Sequence, residues 1–113
     1  MANLNKAYVI MKVGHNVISE PIAIAFESND VLRIIKRLNT ETNQHIAVAD
    51  INVYEPFKIG NKAYLISREE GDGQLLVPVA IGNSYEWAEK MANRISQSTG
   101  DSTLIDLLPV LIK

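Results

Sequence analysis

Two pairs of side chains have a spacing that could grip a ligand. Tyr8 and Lys12 stand four residues apart, and so do Tyr64 and Arg68. Alternate residues of an extended chain share a face. Tyr8, Ile10 and Lys12 therefore point one way, and Tyr64, Ile66 and Arg68 do the same in a second segment. An open sheet face with aromatic rings beside cations can stack nucleobases or hold a nucleotide. The competing reading buries both tyrosines with their hydroxyls satisfied and leaves the cations at the rim.

Other residue types suggest other chemistry. Arg33, Lys36 and Arg37 make a basic patch suited to phosphate or an acidic partner, or simply a solvated helix face. The second helix answers with Glu89, Lys90, Asn93 and Arg94, so the patch is not repeated. His15 and His45 are thirty residues apart, with no HxH or HExxH spacing, and no metal site is expected. Glu69, Glu70 and Asp72 fall in a glycine-containing turn without the spacing of a calcium loop, which reads as a solvated hairpin tip.

Asp50 and Asp106 lie within apolar strands, where burial would raise a carboxyl pKa; an edge aspartate facing water is the plainer account. No GxSxG, P-loop or GxGxxG motif is present, so neither a catalytic set nor a cofactor is expected. An enzyme would have to work through Asp50, His45 or Glu20.

The 113 residues carry a net charge of −2, with 47% apolar and 21% charged side chains. That is one soluble domain spanning residues 1–113, with no broad pull toward nucleic acid or anionic lipid. No cysteine is present, which removes thiol catalysis and disulfides and suits a cytoplasmic setting. No signal peptide and no bilayer-length apolar run is read, so no membrane partner is expected.

The elements that must position these residues come twice. KAYVIMKV from Lys6 is echoed by KAYLISRE from Lys62. At an offset of 56 Lys6, Ala7, Tyr8 and Ile10 meet Lys62, Ala63, Tyr64 and Ile66. After a second turn one residue longer the offset is 57, and Gly14, Pro21 and Val53 meet Gly71, Pro78 and Val110.

Each copy reads strand, turn, strand, helix, strand. The first strand is followed by a Gly14-His15-Asn16 turn and a return strand from Val17 to Phe26. Pro21 and Pro78 mark a strand start, an edge or a bulge. Ser28, Asn29 and Asp30 are candidate caps for a helix with Val31, Leu32, Ile34, Ile35 and Leu38 on one stripe, closed by the polar run from Asn39 to Gln44. His45 to Tyr54 is the third strand, and Gly60-Asn61 suggests a hairpin leading into Lys62.

Asn83 or Ser84 caps the second helix, Trp87, Ala88, Met91 and Ile95 share its face, and Gly100 stops it. Thr103 to Ile112 is the last strand. The fold expected is α+β: two tandem β-β-α-β units, residues 6–56 and 62–113. They would form one sheet of about six strands, with two helices on one face and a pseudo-twofold axis. The strands flanking each helix would run parallel. If the helices cover the Ala7/Val9/Met11 face, the tyrosine face is open.

The stretches AYVIMKV with FESNDVLRIIKRL, and AYLIS with GNSYEWAEKMANRI, resemble small β-β-α-β domains of unknown function common in phage and bacterial genomes. That resemblance implies a phage or mobile-element accessory protein and carries over no site residue. The last strand is apolar on both faces, and a two-layer domain would leave one of them open to another subunit or a partner. The expected function is stoichiometric binding of a host protein, without catalysis, or self-association as a homodimer. The alternative is a nucleotide or small-molecule binding protein with a pocket at the pseudo-twofold or a subunit interface.

Overall fold

The computed structural model describes residues 3–13, 20–42, 45–54, 57–58, 60–70 and 75–111. The element order is β1 (Asn3–Val13), β2 (Glu20–Ala25), α1 (Ser28–Thr42), β3 (His45–Tyr54), β4 (Lys62–Glu70), β5 (Leu75–Gly82), α2 (Tyr85–Thr99) and β6 (Thr103–Leu111). This is an α+β fold with one mixed six-stranded sheet, ordered β3-β1-β2-β6-β4-β5, and two helices.

Strand β1 pairs antiparallel with β2 and β3, and β4 pairs antiparallel with β5 and β6. The halves join where β2 runs parallel to β6, through Ile24–Val110 and Ala25–Leu111. The two strands flanking α1 do run in the same direction, but β1 lies between them.

Both hairpins carry a bulge at the same place. Ile10 faces Ala23 while Met11 faces Pro21, so Ile22 is the extra residue. Ile66 faces Ala80 while Ser67 faces Pro78, so Val79 is the extra residue. Each proline sits where the ladder is already interrupted, so its missing N–H costs little. Bulges also sharpen twist and curvature, and this sheet is strongly curved: its two edge strands, β3 and β5, lie against each other.

Curvature decides which face is inside. Ala7, Val9, Met11, Ile24, Val53, Phe57, Ala63, Leu65, Ile81, Leu108 and Val110 form one buried cluster drawn from all six strands. The sheet encloses this cluster by closing on itself. The helices pack on the other face. Val31 of α1 covers Ile10, Ala23 and Ala25, with Tyr8, Ile22 and Ile34 around them. Ala88 and Ala92 of α2 cover Ile66, with Tyr64, Trp87, Met91, Ile95 and Ile105 around them. The helices thus lie over the tyrosine face, not the Ala7/Val9/Met11 face. The face that a flat two-layer domain would have left open is the interior.

Three local expectations also change. Helix α1 begins at Ser28 and runs to Thr42, taking in all three candidate caps and most of the polar run meant to end it. Asp30 is buried inside its first turn and holds Arg33 at 2.6 Å. Strand β4 extends through Glu69 and Glu70, which belong to the strand and not to its turn. The segment around Gly60-Asn61 is no hairpin, because β3 is an edge strand and β4 lies on the far side of β1, β2 and β6. Phe57 is buried in the interior and stacks on Phe26 with ring centroids 5.8 Å apart. Val110 N–H then donates to the Asn61 carbonyl at 2.8 Å. A buried ring and a contact with β6 carry the chain across the domain, overriding the local turn chemistry.

Helix α2 forms as read. Ser84 caps it, its side chain accepting from Trp87 N–H at 3.1 Å, and Glu86 pairs with Lys90 at 3.7 Å. Gly100 ends it with φ 78, and its N–H donates to the Ser96 carbonyl. Among the described residues, no helix is long and apolar enough to cross a membrane.

Candidate functional site

The four residues at Tyr8, Lys12, Tyr64 and Arg68 do not converge. Tyr8 and Lys12 are half-buried on β1, beside α1; Tyr64 and Arg68 are half-buried on β4, beside α2; strands β2 and β6 separate the pairs. Tyr64 meets the Tyr85 ring edge-on at 5.8 Å. The Arg68 guanidinium pairs with Glu70 and lies 3.3 Å from the Asp101 carboxylate. A cation held between two carboxylates is poorly placed to attract a phosphate. Tyr8 borders a shallow depression with Lys6, Phe26 and the start of α1, which contains no residue of the other pair.

The basic patch is a helix surface. Arg33, Lys36 and Arg37 are exposed, and Arg33 is engaged by Asp30. His15 and Asp72 lie outside the described residues. Among the described residues no three His, Asp or Glu side chains gather into a set that could hold a metal ion.

The two aspartates separate cleanly. Asp50 is exposed on edge strand β3, where Lys6 Nζ sits 2.9 Å from its Oδ2. That hydrogen bond, with the attached charge, holds the Asp50 carboxyl below its usual range and raises Lys6. Asp106 is on β6, opposite Leu65 and on the inward side with Leu108 and Val110. Desolvation, and to a smaller degree the charge of Glu20, pushes its carboxyl up. One aspartate is at the edge and the other at the lining of the interior, so they form no dyad.

Asp106 yields a pH prediction. The folded chain holds this proton more tightly than the unfolded chain, whose carboxyl titrates near 3.8. Stability contributed here is present below that value and is lost as pH rises through the raised folded value. Asp106→Asn should therefore stabilise the protein at neutral pH, with the advantage vanishing in acid. Urea midpoints of both proteins across the acid range check this; equal midpoint differences at every pH would contradict it.

No protein-family model, curated protein or solved structure matches this chain. The site must therefore be read from its own geometry.

Two surfaces stand out. The first is the outer side of β6 between the sectors covered by the helices. Leu111 packs with the α1 cluster and Ile105 with the α2 cluster, while Leu107 between them is 50% exposed. Leu107 faces Tyr64 across the strand pair, and Tyr64 touches Tyr85, itself 52% exposed. Pro109 continues the strip. Sequence reading found the excess of apolar residues in this strand but not which of them stay outside.

The second surface is a cavity of about 450 Å³ at the meeting of β3 and β5, bordered by Phe57 and the first turns of α2. Its residues come from β3, the segment at Phe57, β5 and the start of α2; spacing groups Trp87 with Met91 but brings neither to Asn52 or Phe57.

Proposed function

We propose that this chain is a small non-enzymatic protein that acts by stoichiometric binding of another protein, met through the strip formed by Tyr64, Tyr85 and Leu107. The carrying observation is the exposure of Leu107 and Tyr85 on either side of Tyr64, which is paired with Leu107 in the ladder and meets Tyr85 edge-on. Large apolar side chains that touch each other and face water favour burial against a partner, at about 25 cal/mol per Å² covered. Leu107 and Tyr64 stand on the paired strands β6 and β4 and Tyr85 on the first turn of α2, so the backbone beneath them is ordered before a partner binds.

The scaffold reading that accompanies this is a tandem duplication, residues 6–56 and 62–113. Its support is the repeated KAY strand, the paired bulges at Pro21 and Pro78, and two helices of 15 residues each. The proposed setting is that of a phage or mobile-element accessory protein in the cytoplasm; the resemblance and the small size support the first, and the lack of cysteine suits the second. A host protein is the proposed occupant, and a second copy of the chain is the competing one.

Leu107→Asp and Tyr85→Asp should each abolish the association while keeping a cooperative unfolding transition, Tyr85→Asp losing about 0.5 to 1.5 kcal/mol with its ring contact to Tyr64. Sedimentation at micromolar concentration separates the two occupants. A wild-type dimer that the aspartates split identifies a second copy. A wild-type monomer that captures a host protein, lost in both variants, identifies a host partner. Monomeric behaviour with capture unaffected by either substitution overturns the proposal.

A further inference from the structure

The two junctions between the halves of the sheet are unlike. Where β2 meets β6 a ladder closes the wall at Ile24–Val110 and Ala25–Leu111. Where β5 meets β3 the strands touch, but among the described residues no ladder joins them. The cavity lies there, between Asn52 and Val53 on one side and Val79 to Gly82 on the other.

One ring distinguishes this junction. Trp87 lies so close over Gly82 that a Cβ on Gly82 would stand 2.1 Å from the indole. Fifty-seven residues earlier the corresponding positions hold Ala25 and Asp30, and Asp30 turns to Arg33. The indole is thus seated on backbone and forms one wall, with Phe57 and Met91 also lining the space.

The lining is held in place before any ligand arrives. The Asn83 carboxamide accepts from Lys58 N–H at 2.8 Å and donates to the Lys58 carbonyl at 2.7 Å, which fixes the segment carrying Phe57. Ser84 accepts from Trp87 N–H, which fixes the start of α2 and leaves the hydroxyl proton to donate elsewhere. No Lys, Arg, Asp, Glu or His is among the described lining residues. The nearest described charges, Lys6 and Asp50, border an adjoining depression that shares Asn52 and Val79, and they are paired with each other at 2.9 Å, so a charged ligand would lose its hydration in the cavity for little return. A volume of this size is in the range that takes small molecules, and an indole wall favours a flat ring.

We infer that the open junction of β3 and β5 is a binding site for a small, neutral, planar aromatic ligand of bicyclic size, its ring against Trp87 and a polar edge toward the Asn52 carboxamide. This site is distinct from the strip around Leu107.

Trp87 is the chain's one tryptophan, so the site carries its own reporter. The full-length protein is titrated with the neutral naphthalene dye prodan and, in parallel, with the anionic naphthalene-2-sulfonate, both of bicyclic size. The expected result is saturable one-to-one binding of the neutral dye, with energy transfer from Trp87 and an affinity about tenfold or more above the anion's. Asn52→Phe, at an exposed edge position, should fill the mouth and weaken the neutral dye by about tenfold or more with the unfolding transition kept. Asn52→Ala should keep the ring contact, and Leu107→Asp should bind the dye like wild type. The inference is overturned by non-saturable binding, by equal affinity for the anion, or by undiminished binding to a folded Asn52→Phe. A wild-type dye affinity beside a lost protein partner in Leu107→Asp would separate this site from the docking strip.

Discussion

Leu65→Ala should lower the unfolding free energy by roughly 3 kcal/mol or more, a large share of the total for a domain of this size. Leu65 is fully buried and packs in the one cluster to which all six strands contribute. Its neighbours come from both halves of the sheet, so the space left by three carbons cannot be refilled by one local shift. Leu104→Ala on strand β6, where the side chain is 42% exposed, should by contrast cost no more than about 0.5 kcal/mol. Denaturant unfolding followed by Trp87 emission and by far-ultraviolet circular dichroism gives the measurement. Both signals should move together, because the largest buried cluster takes residues from both halves, and Leu111 of β6 joins the cluster under α1 as well. Two separated transitions, with only one shifted by Leu65→Ala, would show two independent interiors and contradict the closed sheet.

That shared interior explains which features were legible beforehand. Local signals worked where local forces decide. His45 to Tyr54 is β3 as read, Ser84 and Gly100 bound α2 as read, and both prolines sit at bulges. The α2 stripe also held, with Trp87, Ala88, Met91 and Ile95 facing the sheet. Of the α1 stripe, Val31, Ile34 and Ile35 face the sheet, but Leu32, adjacent to Val31 and so turned about 100° around the helix, is 67% exposed, and the Leu38 side chain lies outside the described residues. What failed was long-range. Strand β1 is apolar on both faces, so alternation alone could not say whether Val9 or Ile10 faced the interior. Both are fully buried, Val9 by the closed sheet and Ile10 by a helix. The junction of β2 with β6 brings Ile24 beside Val110, and no spacing rule reaches across such a distance.

The candidate site was less legible than the fold for the same reason. Alternation puts Tyr8 with Lys12, and Tyr64 with Arg68, on one sheet face, but it does not give the distance between the two strands. The order β3-β1-β2-β6-β4-β5 places two strands between them. The excess of apolar residues in β6 was a sound signal. Its resolution into an inner side, Leu108 and Val110, and an outer exposed Leu107 required knowing where each helix lies. Asn52, Phe57 and Gly82 carried no mark at all, because a cavity at an unjoined seam is a property of the closed sheet.

The contact between Gly82 and Trp87 offers the second large effect. Gly82→Ala should destabilise the protein by about 1 to 3 kcal/mol, because the added carbon meets the indole and neither the strand nor the first turn of α2 can retreat freely. Trp87→Ala removes a half-buried ring from the α2 cluster and should itself cost about 3 kcal/mol. The two losses should not add. With the indole gone, the methyl group at position 82 has open space, so Gly82→Ala in the Trp87→Ala background should be nearly neutral. The coupling expected from the double-mutant cycle is therefore about 1 to 3 kcal/mol. Additive losses would mean that the alanine acts through the backbone of β5 and not through the ring. That outcome would leave the position of the indole to be set by α2 alone. A coupling of the expected size fixes the indole by its seat on β5, at the same seam where the sheet remains unjoined.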